Sequence, residues 1–139
     1  MKRMRIATAT SALAMAGIFS VGGAAPASAA THDMSATAYG ATYRANVYHP
    51  SRTATTFSGV LNDTLRTNGH RATLQWRSQV VNRGSSRIVT SLTAYQSTTT
   101  SVRVSSGIYA SRYAKQTRIQ YRACSRTCST WRATPWRSI

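Results

Sequence analysis

The chain has 139 residues, of which 18 are Lys or Arg and only two, Asp33 and Asp63, are acidic, for a formal net charge of +16. With no Glu at all, chemistry that needs paired carboxylates, such as glycoside hydrolysis, or oxygen-rich cages for Ca²⁺ or Mg²⁺, has almost no ligands to draw on. A chain so rich in guanidinium groups favours polyanions and acidic protein surfaces, because Arg pairs bidentately with carboxylate or phosphate and stacks on aromatic rings.

The first residues read as an export signal. Met1-Lys2-Arg3-Met4-Arg5 is a short cationic head, Ile6 to Val21 is an Ala-rich apolar stretch, and Ala27-Ser28-Ala29 is a small-x-small cleavage signature. The apolar stretch is too short, and too often interrupted by Thr and Ser, to serve as a membrane anchor, which takes about 20 apolar residues. Residues 1–29 are therefore expected to be removed and the product to be secreted and extracellular, with no transmembrane segment. Loss of Lys2, Arg3 and Arg5 leaves 15 basic residues, all Arg except Lys115, against two Asp, a formal charge of +13.

In the remaining chain Thr, Ser, Val, Tyr and Trp alternate between regularly spaced turn residues, and no window carries a 3.6-residue apolar stripe. This predicts a flexible leader over 30–38 and a single all-β domain over 39–139, an antiparallel β-sandwich or small barrel. A first strand is expected where Tyr39, Ala41, Tyr43, Ala45 and Val47 alternate with Gly40, Thr42, Arg44 and Asn46, ending at His49-Pro50. Residues 51–63 have few apolar anchors and are expected as loop or edge. Asn68-Gly69 predicts a type I′ hairpin. The next strand is the clearest: Ala72, Leu74, Trp76, Ser78 and Val80 face one way, and Arg71, Thr73, Gln75, Arg77 and Gln79 the other. Asn82-Arg83-Gly84-Ser85 predicts a turn, and 87–96 and 102–113 further strands around a Ser/Thr break at 97–101 and a kink at Gly107.

Cys124 and Cys128 predict a disulfide-closed hairpin near the C-terminus. If the two cysteines face each other, Tyr121 opposes Trp131 and Ile119 opposes Ala133 on an apolar face, while Arg118, Gln120 and Arg122 oppose Thr134, Arg132 and Thr130, with Arg126 at the tip. Trp131 is thereby expected in the core; Trp136, beyond Pro135, suits a surface anchor and a core cap equally. So short a covalent loop contributes only about 2 kcal/mol, so its main effect is to pin the register. The C-x₃-C spacing differs from the C-x-x-C of redox dithiols. Because Arg and Trp dominate binding hot spots, Arg118, Arg122, Arg126, Arg132 and Trp136 are the candidate binding residues.

No spacing inside the domain points to a metal or cofactor site, the one terminal exception being Ala30-Thr31-His32, which suits square-planar Cu(II) or Ni(II) if cleavage falls after Ala29 and is read as accidental, and no nucleophile elbow G-x-S-x-G is present. A small secreted ribonuclease built from His49, His70 and Lys115 is the remaining enzymatic reading, although nothing in the sequence brings the three together. No recognition motif for specific nucleic acid is found. The residues point instead to a non-enzymatic binding protein whose partner is an acidic secreted protein; the alternative is an antimicrobial or antifungal protein that binds cell-wall polyanion or chitin.

The export signal with Ala27-Ser28-Ala29, the Ala/Thr/Arg bias and the segment Tyr121-Arg122-Ala123-Cys124-Ser125-Arg126-Thr127-Cys128-Ser129-Thr130-Trp131-Arg132 resemble small exported actinomycete proteins. In layout the chain is similar to the adaptor subunit of the umbrella toxin particles of Streptomyces. The resemblance implies a non-catalytic role in an exported antibacterial assembly, linking a lectin-like subunit to a repeat-bearing toxin protein. It is one of layout and composition, and it transfers no functional residue.

Overall fold

A computed structural model describes residues 32–139; the export signal over 1–29 and the first two residues of the expected leader lie outside the described residues. The described residues form ten strands in two antiparallel sheets. Strands β1 (His32–Ala38), β2 (Ala41–Ser51), β3 (Ala54–Asp63) and β7 (Ser101–Tyr109) make the first sheet in the order β1-β2-β3-β7. The second is centred on β4 (Ala72–Asn82) and β8 (Ala114–Cys124). Short strands β5 (Ile88–Thr90) and β6 (Ala94–Thr98) share the free edge of β4, and β9 (Arg132–Ala133) and β10 (Arg137–Ser138) share that of β8. The core lies between the two sheets, so of the two architectures expected, the molecule is a sandwich.

Alternation decides which side chains enter that core. Met34, Ala36, Tyr43, Ala45, Val47, Phe57, Leu61 and Val104 come from the first sheet, and Leu74, Ile119, Tyr121 and Ala123 from the second. Phe57 holds an edge-to-face contact with Tyr43 at 6.4 Å and another with Trp76 at 5.8 Å, joining the sheets through one aromatic chain. The Tyr43 hydroxyl donates to the Val104 carbonyl at 3.0 Å, so its polar end is satisfied inside the sandwich.

Several expectations are corrected. Residues 32–38, expected as part of a flexible leader, form an edge strand paired with β2 from His32↔Val47 to Ala38↔Ala41, because Met34 and Ala36 are buried in alternation with Asp33, Ser35 and Thr37. Tyr39 and Gly40, expected in the first strand, make the turn between β1 and β2, where Gly40 takes a left-handed φ of 96°. Residues 54–63, expected as loop or edge, form an interior strand whose Ala54, Phe57, Leu61 and Asp63 are buried. A Cβ on Gly59 would overlap the Arg44 carbonyl and Ala45, so the missing side chain is what permits that pairing.

Asn68-Gly69 is not a type I′ hairpin: only Gly69 has positive φ, and the segment carries the chain from one sheet to the other. The Asp63 carboxylate opens this crossover by accepting from the Leu65 amide at 3.0 Å, and the Asn68 side chain closes it on the His70 amide at 2.9 Å. The expected strand 87–96 is broken in two: the Ser91 amide donates to the Ser78 carbonyl and its hydroxyl accepts from the Ser78 amide, which throws Leu92 out to 94% exposure. The strand expected over 102–113 ends at Tyr109, and Gly107 lies in register opposite Thr56 rather than forming a kink.

The turn at 82–85 and the strand beginning at Ala72 are found as expected.

Replacing Phe57 by Ala is expected to cost about 3–5 kcal/mol, a large part of the stability of a domain this small, and to lower the urea midpoint accordingly. Burial pushes the Tyr43 phenol well above its ordinary value, with the Arg103 charge opposing. The unfolded chain ionises this phenol above about pH 10 while the folded chain keeps it neutral, so its contribution holds below that pH and is lost as pH climbs toward the folded value. Stability measured by denaturant titration should therefore fall from about pH 10 upward, and Tyr43→Phe should flatten that fall.

Candidate functional site

The outward face of the second sheet is built by the same alternation that fills the core. With Leu74, Trp76, Ile119 and Tyr121 turned inward, β4 presents Gln75, Arg77 and Gln79 outward and β8 presents Arg118, Gln120 and Arg122. Register pairs Gln75 with Arg122, Arg77 with Gln120 and Gln79 with Arg118. Every Arg on these rows thus faces a Gln, and every such pair is bonded: Arg122 Nε donates to Gln75 Oε1 at 2.8 Å, Arg77 Nε to Gln120 Oε1 at 2.8 Å, and Arg118 Nε to Gln79 Oε1 at 2.7 Å. Gln79 continues its row by donating Nε2 to the Thr90 hydroxyl at 3.1 Å.

The C-terminal segment adds an aromatic column. Cys124 and Cys128 are disulfide-bonded and face each other as expected. Farther along, however, Tyr121 pairs with Arg132 and Gln120 with Ala133, so residues 129–131 span the same length as residues 122–123 and form a bulge. This corrects the expected register by one residue. Trp131 leaves the core-facing side and comes opposite Arg122, while Arg132 moves to the side of the ribbon shared with Tyr121. Trp136 is likewise carried opposite Arg118 by the pairing of Arg137 with Thr117. The guanidinium carbons confirm the placement: Arg77 lies 4.0 Å and Arg122 4.5 Å from the Trp131 ring centre, and Arg118 lies 4.5 Å from that of Trp136.

Of the five expected binding residues, Arg118, Arg122 and Trp136 share this face, Arg126 is exposed at the tip of the disulfide loop, and Arg132 is exposed on the other side. Arg77, Trp131 and the three Gln complete the face without having been singled out as binding residues. A signal for them exists in the sequence. Gln-x-Arg-x-Gln over 75–79 and Arg-x-Gln-x-Arg over 118–122 are complementary when run antiparallel, matching every guanidinium with an amide acceptor.

Energetics show what such a ladder does. A half-exposed hydrogen bond from Arg to Gln stabilises on the order of 1 kcal/mol and a surface cation–π contact about 0.5–1 kcal/mol, against about 2 kcal/mol of rotamer entropy for each Arg ordered. Arg77 and Arg122 share one indole and so lie at most 8.5 Å apart, the two ring distances added. Their repulsion there is about 0.5 kcal/mol in water and about 2 kcal/mol at an effective dielectric constant of 20. The net contribution to folding is near zero; the consequence is three guanidinium groups gathered on one face without a gain in stability.

The histidines and lysine of the ribonuclease reading are not gathered. His49, whose Nδ1 lies 3.0 Å from the Thr55 hydroxyl, sits beside the start of β3, and His70 lies beyond its end, about 30 Å away at 3.3 Å per residue. Lys115 is at the opposite end of the β4–β8 pair from His70. Among the described residues no helix is long and apolar enough to cross a membrane. No protein-family model, curated protein or solved structure matches this chain.

A double-mutant cycle on Arg77→Ala and Trp131→Ala is expected to give a coupling of about 0.5–1 kcal/mol, read from denaturant unfolding. The same cycle on Arg132 and Trp131 should give none; equal couplings would contradict the bulged register.

Proposed function

We propose that this is a secreted, non-enzymatic binding protein that docks through the outward face of its second sheet on an acidic protein of an exported assembly. The observation that carries the reading is the set of three guanidinium groups, Arg77, Arg118 and Arg122, held by Gln oxygens and indole rings with no carboxylate among their hydrogen-bond partners in the described residues. Clustering like charges brings repulsion without a matching gain in stability, and an anionic partner relieves it. Fixing the Arg rotamers during folding also removes part of the ordering cost from the binding step. The +13 charge expected after export steers such a partner toward the domain and disfavours self-association. An adaptor in an antibacterial particle, the role implied by the resemblance of layout, fits this chemistry.

The test is size-exclusion chromatography of culture supernatant from the producing organism, followed by mass spectrometry of the fractions. The protein is expected in a large complex with an acidic companion, and the triple variant Arg77→Gln, Arg118→Gln, Arg122→Gln is expected to elute free while keeping its thermal transition. Elution of the unaltered protein as a free monomer, or retention of the companion by the triple variant, would overturn the reading.

A further inference from the structure

The chemistry of the ladder narrows the ligand beyond its charge, on the premise of the reading above that this face binds an acidic protein. Each Gln on the β4–β8 rows uses Oε1 to accept from an Arg Nε. The Nη1 and Nη2 atoms of Arg77, Arg118 and Arg122 make no hydrogen bond among the described residues, and the same holds for Nε2 of Gln75 and Gln120. Each of these Gln oxygens thus already accepts one bond within the face, and the polar atoms of the rows that make none among the described residues, the Nη and Nε2 groups, are donors. Such a surface discriminates by chemical type: acceptor-rich groups are bonded, whereas another cation or donor meets repulsion.

Spacing is the second constraint. Arg122, Arg77 and Arg118 occupy three successive rows of the sheet. Successive rows are two residues apart, about 6.6 Å along the strand axis, and the two strands lie about 4.8 Å apart. The Cα positions of these three Arg residues thus step along the face at the interval at which an extended polypeptide repeats its side chains on one side, also about 6.6 Å, and the guanidinium groups of Arg77 and Arg122 meet at the one Trp131 ring. Trp131 and Trp136 bound the track along the β9–β10 edge.

We propose that this face binds an extended acidic segment of the partner whose Asp or Glu residues fall at alternate positions, i, i+2 and i+4. Each carboxylate takes the two Nη donors of one Arg in a bidentate pair, the middle one seated on Arg77. Recognition is by side chains across the sheet face, so no strand is added to an edge. A carboxylate run without the alternation places its charges at the wrong interval and on both sides of the segment.

The experiment uses the mature full-length protein and two fluorescein-labelled heptapeptides of identical composition, Thr-Glu-Thr-Glu-Thr-Glu-Thr and Thr-Thr-Glu-Glu-Glu-Thr-Thr, titrated by fluorescence anisotropy. The alternating peptide is expected to bind about tenfold more tightly, and Arg77→Gln to abolish that preference. Arg103→Gln, on the outer face of the other sheet, is expected to leave the preference intact, as a control for net charge. Equal binding of the two peptides, no binding of either, an equal effect of Arg103→Gln, or tighter binding of inorganic polyphosphate than of the alternating peptide would each overturn the inference. The broader reading falls separately, through the co-elution experiment, because an acidic companion lost by the triple Gln variant supports it whatever the peptides show.

Discussion

Fifteen cationic side chains remain after the expected loss of the export signal, and the two carboxylates that accompany them are elsewhere: Asp33 is on the edge strand β1, and Asp63 ends β3 with its carboxylate bonded to a backbone amide. The sheet that carries Arg77, Arg118 and Arg122 must therefore hold its guanidinium groups with neutral partners. Amide oxygens and indole rings are the neutral groups that meet a cation favourably from the edge and from the face, and the outward face of β4 and β8 supplies both. Because this pair of strands is also one wall of the core, a single register sets both sides. A slip of one residue would turn Leu74, Trp76, Ile119 and Tyr121 out together with turning the Arg residues in.

The rest of the molecule makes that pair rigid. Much of the core is Ala, with Ala36, Ala41, Ala45, Ala54, Ala72 and Ala123 all buried, and Gly59 allows the β2–β3 pairing to close tightly. The volume is supplied by a few large side chains, Tyr43, Phe57, Leu74 and Ile119, with Trp76 packed against them. Small residues let backbones approach, and interlocked rings resist sliding, so the platform under the ladder is stiff. At the far edge Arg137 ties the last strand to the first sheet, donating to the carbonyls of Ala54 at 2.7 Å and Ser51 at 2.9 Å. Those two bonds anchor the chain that delivers Trp136 to Arg118.

Legibility varied along the chain for physical reasons. The strand beginning at Ala72 was readable because its apolar and polar residues alternate strictly. The disulfide was readable because a chain with only two cysteines, read as exported, leaves them one another as partners. Strand β1 was missed because its inward residues, Met34 and Ala36, are few and one is small; β3 was missed because Ala54 and Gly59 carry too little apolar bulk to mark a face. On the candidate face, Arg118 and Arg122 were found from the hairpin alone, whereas Arg77 lies more than forty residues earlier and joins them through a long-range pairing. Trp131 was misplaced because a bulge is an inserted residue, and local alternation carries no mark of where an insertion falls.

By itself the sequence determined the all-β class, the near-absence of acid, the disulfide pairing and the alternation that separates core from cationic surface, since each follows from composition or from the two-residue period of a strand. Only the tertiary structure decided which cations stand together, which way Trp131 turns and that Trp136 backs Arg118. Those outcomes depend on how strands distant in sequence are placed side by side, and on a one-residue bulge that reverses the side to which the chain beyond it points.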